Sequence, residues 1–87
     1  MLAQRVVALS GEIDIYSAST TCRVLDDVDG PAVIDLSGVR LLSAAGLAEL
    51  ARLAKRVGFR AVTLTGAQPH VRRVLTIARF EQLFIIE

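Results

Sequence analysis

The sequence predicts an α/β domain built on a mostly parallel sheet of four to five strands, with the element order βαβαβαβ. Short runs of Val, Leu, Ile and Ala alternate along the 87 residues with segments whose apolar positions recur at helical spacing. Gly, Pro or Ser separates most of these segments, as expected at turns. Such alternation favours right-handed crossovers and helices that cover the sheet. The length fits one domain over residues 1–87.

The first strand and helix lie in the first 30 residues. Residues 6–9 form an apolar run that ends at Ser10 and Gly11, which is typical of a strand covered on both faces. Ser17 and Ser19 are candidate N-caps of the helix that follows. Its predicted inner face consists of Ala18, Cys22, Leu25 and Val28.

The second strand and helix have the clearest pattern. Residues 32–36 are predicted as a buried strand that ends in a turn at Ser37 and Gly38. A helix is predicted over Ala44–Val57, with Gly58 ending it. Its predicted inner residues are Leu47, Leu50, Ala51 and Ala54, and its predicted solvated stripe is Glu49, Arg52 and Arg56.

The last third of the chain repeats the alternation. Residues 61–65 are predicted as a third strand that ends at Gly66. Pro69 suits the first turn of a third helix, because proline needs no backbone donor there. The apolar positions of that helix are Val71, Val74, Leu75 and Ala78. Residues 83–86 complete the sheet as a fourth strand.

Composition excludes several classes of function. Ten basic residues balance nine acidic ones, so a net charge of +1 gives no field that would attract nucleic acid. No apolar stretch approaches the roughly 18 residues that a membrane span needs, and the amino terminus does not resemble a signal peptide. One cysteine cannot form an intrachain disulfide. We expect a cytoplasmic protein that does not insert into membranes.

No residue cluster predicts catalysis. His70 is the one histidine and has no cysteine close by in the sequence, so a surface position is favoured over metal ligation. Cys22 falls on a predicted inner helix face, which favours burial over reactivity. Signatures of zinc proteases, serine hydrolases, phosphate-binding loops and dinucleotide binding are absent from the sequence. We therefore expect neither an enzyme nor a cofactor.

Two segments follow predicted strands and carry motifs. The first is Gly-Glu-Ile-Asp at residues 11–14, and the second is Asp-Leu-Ser-Gly-Val at residues 35–39 with Ser-Ala-Ala-Gly-Leu at residues 43–47. Loops at the carboxyl ends of parallel strands gather at one edge of a sheet, where ligands and partners bind. Ordinary strand-to-helix turns with helix caps explain the same residues equally well.

These motifs resemble the STAS family of bacterial anti-sigma-factor antagonists, over nearly the whole chain. The resemblance implies partner switching, in which the domain binds an anti-sigma factor that is also a serine kinase and so regulates a sigma factor. It places the partner-binding surface at Asp14, Arg40, Ser43, Ala44, Gly46 and Leu47. STAS-like domains also serve as accessory subunits of transporters or signalling scaffolds, and that alternative stays open.

The sequence departs from the family at the phosphorylated serine. Alignment on Gly46 places Ala44 at that position, and alanine cannot accept phosphate. Ser43 is one residue upstream, where we favour a role as N-cap of the helix over a role as phosphosite. Conventional control by phosphorylation is therefore not expected.

A second departure lies at the amino terminus. Family members commonly carry another strand before the one at residues 6–9, and only five residues precede Val6. We expect this edge strand to be shortened or absent, which leaves a sheet edge for self-association as a homodimer or for a partner.

Overall fold

The computed structural model describes residues 5–87, in which four parallel strands alternate with three α-helices. The strands are hydrogen-bonded in chain order, from the first to the fourth. The predicted α/β class and parallel sheet are thus confirmed, while a strand before the first would fall on residues outside the described range. The elements are β1 (Arg5–Ile13), α1 (Ala18–Asp26), β2 (Ala32–Leu42), α2 (Ala44–Val57), β3 (Val62–Thr65), α3 (Pro69–Ile77), a short 3-10 helix (Phe80–Gln82) and β4 (Ile85–Ile86).

Side chains on one face of the sheet form the core together with the helices. Along β1, Val7, Leu9 and Ile13 are buried, and they share one cluster with residues from every helix. The cluster includes Leu25 of α1, Ile34, Leu36 and Val39 of β2, Leu50, Leu53 and Ala54 of α2, Leu64 of β3, Val71 and Leu75 of α3, and Phe84. The strands and helices are therefore held by a single core on one side of the sheet.

The opposite face of β1 is open within residues 5–87. Val6 is 65% exposed, and Ala8 and Ser10 are also exposed. Val6 pairs with Val33 of β2, which is half-buried. The prediction that residues 6–9 are covered on both faces is therefore wrong. An uninterrupted apolar run does not reveal whether one face or two are packed, because periodicity reports only which residues share a face.

β1 and β2 are longer than predicted. Both continue through the Ser-Gly pairs, at residues 10–11 and 37–38, at which the sequence pattern predicted that they end. The register passes from Ala8 opposite Asp35 to Ser10 opposite Gly38, so β2 carries one extra residue in a bulge. Gly38 permits a close approach, since a Cβ there would lie 3.1 Å from the Cβ of Ser10. Gly11 has φ +78° inside β1. The predicted turns at these glycines are wrong, and the bulges carry both strands further towards the carboxyl edge.

Asp35 and Ser37 stabilise the backbone at the first bulge. The backbone N–H of Ser37 donates to Asp35 Oδ1 at 2.9 Å. This hydrogen bond lowers the pKa of the Asp35 carboxyl, because it favours the charged form. The serine predicted to lie in a turn therefore lies within β2, hydrogen-bonded to a side chain of its own strand.

The helices agree with the prediction in position and differ in some of their faces. α2 has the predicted bounds, but Arg56 is not simply solvated: its guanidinium donates to the carbonyl oxygens of Leu25 at 2.8 Å and Val28 at 2.7 Å. In α1, Thr21 is buried and Cys22 is half-buried. The arginine thereby ties the carboxyl end of α1 to α2, which is a tertiary contact that the sequence pattern did not reveal.

The starts of α1 and β4 need separate comparison with the prediction. α1 begins at Ala18, after Ser17 in the N-cap position, so Ser19 lies inside the helix. β4 is limited to Ile85–Ile86, because the residues before it form the 3-10 helix and a turn.

Candidate functional site

A hydrogen-bonded turn follows β1 at the carboxyl edge of the sheet. Asp14 Oδ1 accepts hydrogen bonds from the backbone N–H groups of Tyr16 at 2.9 Å and Ser17 at 3.1 Å. Ser17 Oγ donates to the carbonyl oxygen of Glu12 at 2.8 Å and accepts from the N–H of Asp14 at 3.0 Å. An acidic side chain that binds N–H groups just ahead of it forms an Asx-type turn. Asp14, predicted as a partner contact, therefore shapes the turn.

This turn displays two large side chains, Ile15 and Tyr16, which we call the apolar tip. Ile15 is 76% exposed and Tyr16 is 91% exposed. Aromatic side chains are enriched at protein interfaces, where they bury a large area at low cost in conformational entropy. The sequence analysis missed both residues. The signal that could have identified them is a pair of large apolar residues directly after Asp14, where the chain leaves a strand and a turn exposes side chains.

The end of β1 is joined directly to the start of α2. The N–H of Ser43 donates to the carbonyl oxygen of Ile13 at 2.9 Å, and the N–H of Leu47 donates to the carbonyl oxygen of Ser43 at 2.9 Å. Gly46 is buried against the Ile13 side chain. The two segments that carry the motifs are therefore in contact, as their positions at strand ends predicted.

The predicted partner-binding residues of α2 differ in exposure. Ala44 is exposed, Ser43 and Leu47 are half-buried, and Gly46 is buried. Leu47 packs against the core from its partly buried position. Ala44 therefore offers the most open contact, whereas Gly46 acts by letting the helix approach β1.

The hydroxyl oxygen of Ser43 is buried. Ser43 occupies the N-cap position of α2 with extended backbone angles, φ −88° and ψ 176°, but its hydroxyl makes no cap hydrogen bond. Ser43 Oγ is buried and has no hydrogen-bond partner within the described residues. The N-cap position was predicted correctly, and the capping role of the hydroxyl was not. A kinase would also need access to this oxygen, which the fold does not give.

β2 has a second bulge, where the register passes from Gly11 opposite Val39 to Glu12 opposite Leu41. Arg40 is the extra residue there, and it is exposed. Its carbonyl oxygen is 2.6 Å from His70 Nε2 of α3. Gln68 Nε2, just before α3, donates to the carbonyl oxygen of Ser37 at 3.2 Å. The start of α3 thus supports the bulged part of β2 and fixes the backbone from which Arg40 extends. We call residues 14–16, 40 and 43–47 the carboxyl-edge surface.

A separate shallow groove between α1 and α2 contains Cys22. It is lined by Cys22, Leu25, Asp26, Glu49, Arg52, Leu53 and Arg56. Hydrogen bonding to the Glu49 carboxylate raises the pKa of the Cys22 thiol, and partial burial and the Asp26 charge raise it further. Sγ lies 3.9 Å from each Asp26 carboxylate oxygen. A protonated thiol is a poor nucleophile, so this groove does not resemble a catalytic cysteine site.

The described part of the chain offers no arrangement of metal ligands. No group of three or more His, Cys, Asp or Glu side chains within residues 5–87 is placed to hold a metal ion. The helices in this same range are all too short or too polar to cross a bilayer.

Comparison with known proteins agrees with the architecture. A family model described as "Mlab, STAS domain" matches residues 2–87. The fold is similar to the STAS domain of a SulP transporter from Vibrio cholerae, with a TM-score of 0.66 and 23% sequence identity, covering 100% of this chain and 77% of that one. No protein of curated function matches the sequence. Because the family model spans nearly the whole chain, the protein belongs to the STAS domain family.

Proposed function

We propose that this chain is a regulatory protein-docking module whose contact with its partner does not depend on phosphorylation. The observation that carries the proposal is the apolar tip: Ile15 and Tyr16 extend into solvent from a turn that hydrogen bonds hold in place. A preorganised apolar and aromatic pair loses little entropy on binding, which is the property of an interface anchor. Ala44 and the exposed side chain of Arg40 extend the surface with small and polar contacts.

The first candidate partner is an anti-sigma factor of the serine-kinase type. Support comes from the motifs at residues 11–14 and 35–47, whose segments meet at the carboxyl-edge surface. Ala44 has no hydroxyl, and Ser43 Oγ is buried. Such a kinase would therefore bind the module without modifying it, and the complex would persist when ATP is present.

The second candidate is an accessory role in a transporter. The fold similarity to the STAS domain of a SulP transporter favours this candidate, and so does a docking surface on which Ala44 has no hydroxyl and Ser43 Oγ is buried. A subunit that remains assembled has no need of a phosphorylated serine.

The test places a photo-crosslinking amino acid at position 15 in the native host and identifies the captured protein by mass spectrometry. The purified pair is then measured by calorimetry with the Tyr16→Ala variant. Truncation of an interface anchor costs 2 kcal/mol or more, so we expect the dissociation constant to rise about 30-fold or more.

The matched control is Phe59→Ala. Phe59 is also an exposed aromatic residue, at 61%, and it lies after the carboxyl end of α2 rather than at the carboxyl-edge surface. It should leave binding unchanged. Equal affinity of the wild type and the Tyr16 variant would disprove the proposed surface. Persistence of the complex with Mg-ATP is expected in either case, and the identity of the captured protein separates kinase from transporter.

A further inference from the structure

The outward face of α3 continues the carboxyl-edge surface. The carbonyl oxygen of Arg40 accepts a hydrogen bond from Nε2 of His70 at 2.6 Å, so the first turn of α3 lies directly beside the bulge from which Arg40 extends. Arg73 follows His70 by three residues and Ile77 follows Arg73 by four, a spacing that places side chains along one face of a helix. We call Arg40, His70, Arg73 and Ile77 the α3 strip.

The side chains of the α3 strip are available to a partner. Arg40, His70 and Arg73 are exposed, and Ile77 is 72% exposed. The side chains that fix α3 to the core are instead Val71 and Leu75. The strip is therefore a surface on a firmly packed helix that the core of this chain does not use.

The positive charge of the α3 strip is not neutralised within residues 5–87. The one ion pair in that range lies inside α2, so neither Arg40 nor Arg73 is paired with a carboxylate there. Glu12 is exposed at the neighbouring end of β1 but forms no ion pair with Arg40. Residues 69–79 contain three arginines and no acidic residue. A net charge of +1 for the whole chain therefore conceals a local excess of positive charge.

An acidic protein segment fits this surface better than a membrane does. The guanidinium of arginine is planar, and its N–H groups match the two oxygens of a carboxylate. Attachment to an anionic membrane by charge commonly uses clusters of about four to eight Lys or Arg, whereas the strip holds two arginines. Ile77 adds an apolar contact beside the charges, and protein interfaces combine apolar contacts with a polar rim in this way.

We propose that the α3 strip binds an acidic segment of the same protein that docks on the apolar tip, with carboxylates of that partner paired to Arg40 and Arg73. The inference rests on the proposed function, because it extends the carboxyl-edge surface onto α3 and names the chemistry of the partner. Complementary charges at the rim of an interface mainly speed association and reject wrong partners. The apolar tip thus supplies the anchor, and the α3 strip supplies selectivity for an acidic partner.

The first test places a photo-crosslinking amino acid at position 77 in the native host, which leaves both arginines in place. It should capture the same protein as the crosslinker at position 15. Mass spectrometry should locate the crosslink in a segment of that protein that contains Asp or Glu. Capture at position 15 but not at position 77 would overturn the proposal, and so would a crosslinked segment without acidic residues.

The second test is calorimetry with the captured protein. Arg40→Glu and Arg73→Glu should each raise the dissociation constant about tenfold, because attraction becomes repulsion across the interface. The matched control is Arg23→Glu, which makes the same change in net charge at an exposed position of α1 and should bind as the wild type does. Wild-type affinity should fall as ionic strength rises from about 0.1 M to about 1 M, because the Debye length shrinks from about 10 Å to about 3 Å.

The variants separate failure of this inference from failure of the proposed function. If Tyr16→Ala weakens binding while Arg40→Glu and Arg73→Glu bind as tightly as Arg23→Glu, the α3 strip is not part of the interface and the apolar tip stands. If only the two strip variants weaken binding, the strip is supported and the tip is wrong. Co-sedimentation with vesicles of phosphatidylcholine and phosphatidylglycerol tests the membrane alternative. Vesicle binding that Arg73→Glu abolishes would overturn the assignment of an acidic protein.

Discussion

Gly46 of α2 lies so close to Ile13 of β1 that no side chain fits between them. A Cβ on Gly46 would lie 2.7 Å from Ile13 Cγ2 and 3.0 Å from the Ile13 carbonyl oxygen. It would also lie 2.7 Å from Leu42 Cδ1. The same carbonyl oxygen of Ile13 accepts the hydrogen bond from the N–H of Ser43. Glycine at this position thus lets α2 begin directly on the end of β1, which holds the two halves of the carboxyl-edge surface together.

Gly46→Ala should destabilise the fold. Overpacking costs about 1–3 kcal/mol, and the better helix propensity of alanine returns about 1 kcal/mol, so we expect a net loss of about 1 kcal/mol in the free energy of unfolding. Urea denaturation measures it. The matched control is Gly30→Ala, because a Cβ there meets nothing within 4 Å. Equal midpoints for the two variants would contradict the close approach.

Ser43→Ala and Ser17→Ala make the same chemical change at two N-cap positions, and we expect opposite results. Ser43 Oγ is buried and has no hydrogen-bond partner among residues 5–87, so its removal should leave stability unchanged or slightly raised. Ser17 Oγ bonds to Glu12 and Asp14, so its removal should cost about 1–2 kcal/mol. Thermal unfolding of both variants measures these two changes in stability. A clear loss of stability in Ser43→Ala would show that its hydroxyl caps α2 after all.

Arg56→Met should destabilise the contact between α1 and α2. The guanidinium donates to two carbonyl oxygens, those of Leu25 and Val28, at the carboxyl end of α1. Loss of the guanidinium leaves the apolar stem but removes one charged hydrogen bond to each carbonyl. The Leu25 carbonyl oxygen still accepts from the N–H of Val28 at 3.0 Å, so the loss should cost about 1–2 kcal/mol. Arg52→Met is the control, because Arg52 makes an exposed ion pair with Glu49 at 3.6 Å, and such pairs contribute about 0–1 kcal/mol. Chemical denaturation should therefore show a larger loss in the free energy of unfolding for Arg56→Met than for Arg52→Met. Equal losses would contradict the role of Arg56 in holding the end of α1 against α2.

The pH dependence of Cys22 alkylation should reveal its acidic surroundings. Because Glu49 and Asp26 raise the pKa of the thiol, less thiolate is present at any mildly alkaline pH, and iodoacetamide should react more slowly than with free cysteine. Glu49→Gln should move the rate profile to lower pH. Arg52→Gln should move it to higher pH, because the Arg52 charge lowers this pKa. Profiles that shift in the same direction for both variants would contradict this electrostatic description.

Local signals predicted most of the fold. The bounds of α2 agree at both ends, since Ser43 and Gly58 interrupt a long helical pattern. β1 and β2 agree in position but not in length, because the glycines that usually mark turns here relieve close contacts between strands and permit bulges. A glycine in the sequence does not say which of these uses applies.

The geometry of the candidate site was predicted only in part. That the two motif segments meet followed from strand order, because the carboxyl ends of parallel strands lie at one edge. The exposure of its residues did not follow: Ile15 and Tyr16 are 76% and 91% exposed, whereas Gly46 is buried. Which side of a turn faces solvent depends on the hydrogen bonds of Asp14 and Ser17, and these form only in the folded chain.

The sequence by itself determined the order of the elements, the parallel sheet and the presence at position 44 of an alanine, which cannot accept phosphate, because periodicity and residue type are local properties. The tertiary structure alone decided that the outward face of β1 stays open within residues 5–87, that the Ser43 hydroxyl is covered and that Arg56 binds the end of α1. These outcomes depend on which distant surfaces pack together, and packing is decided by the whole chain at once.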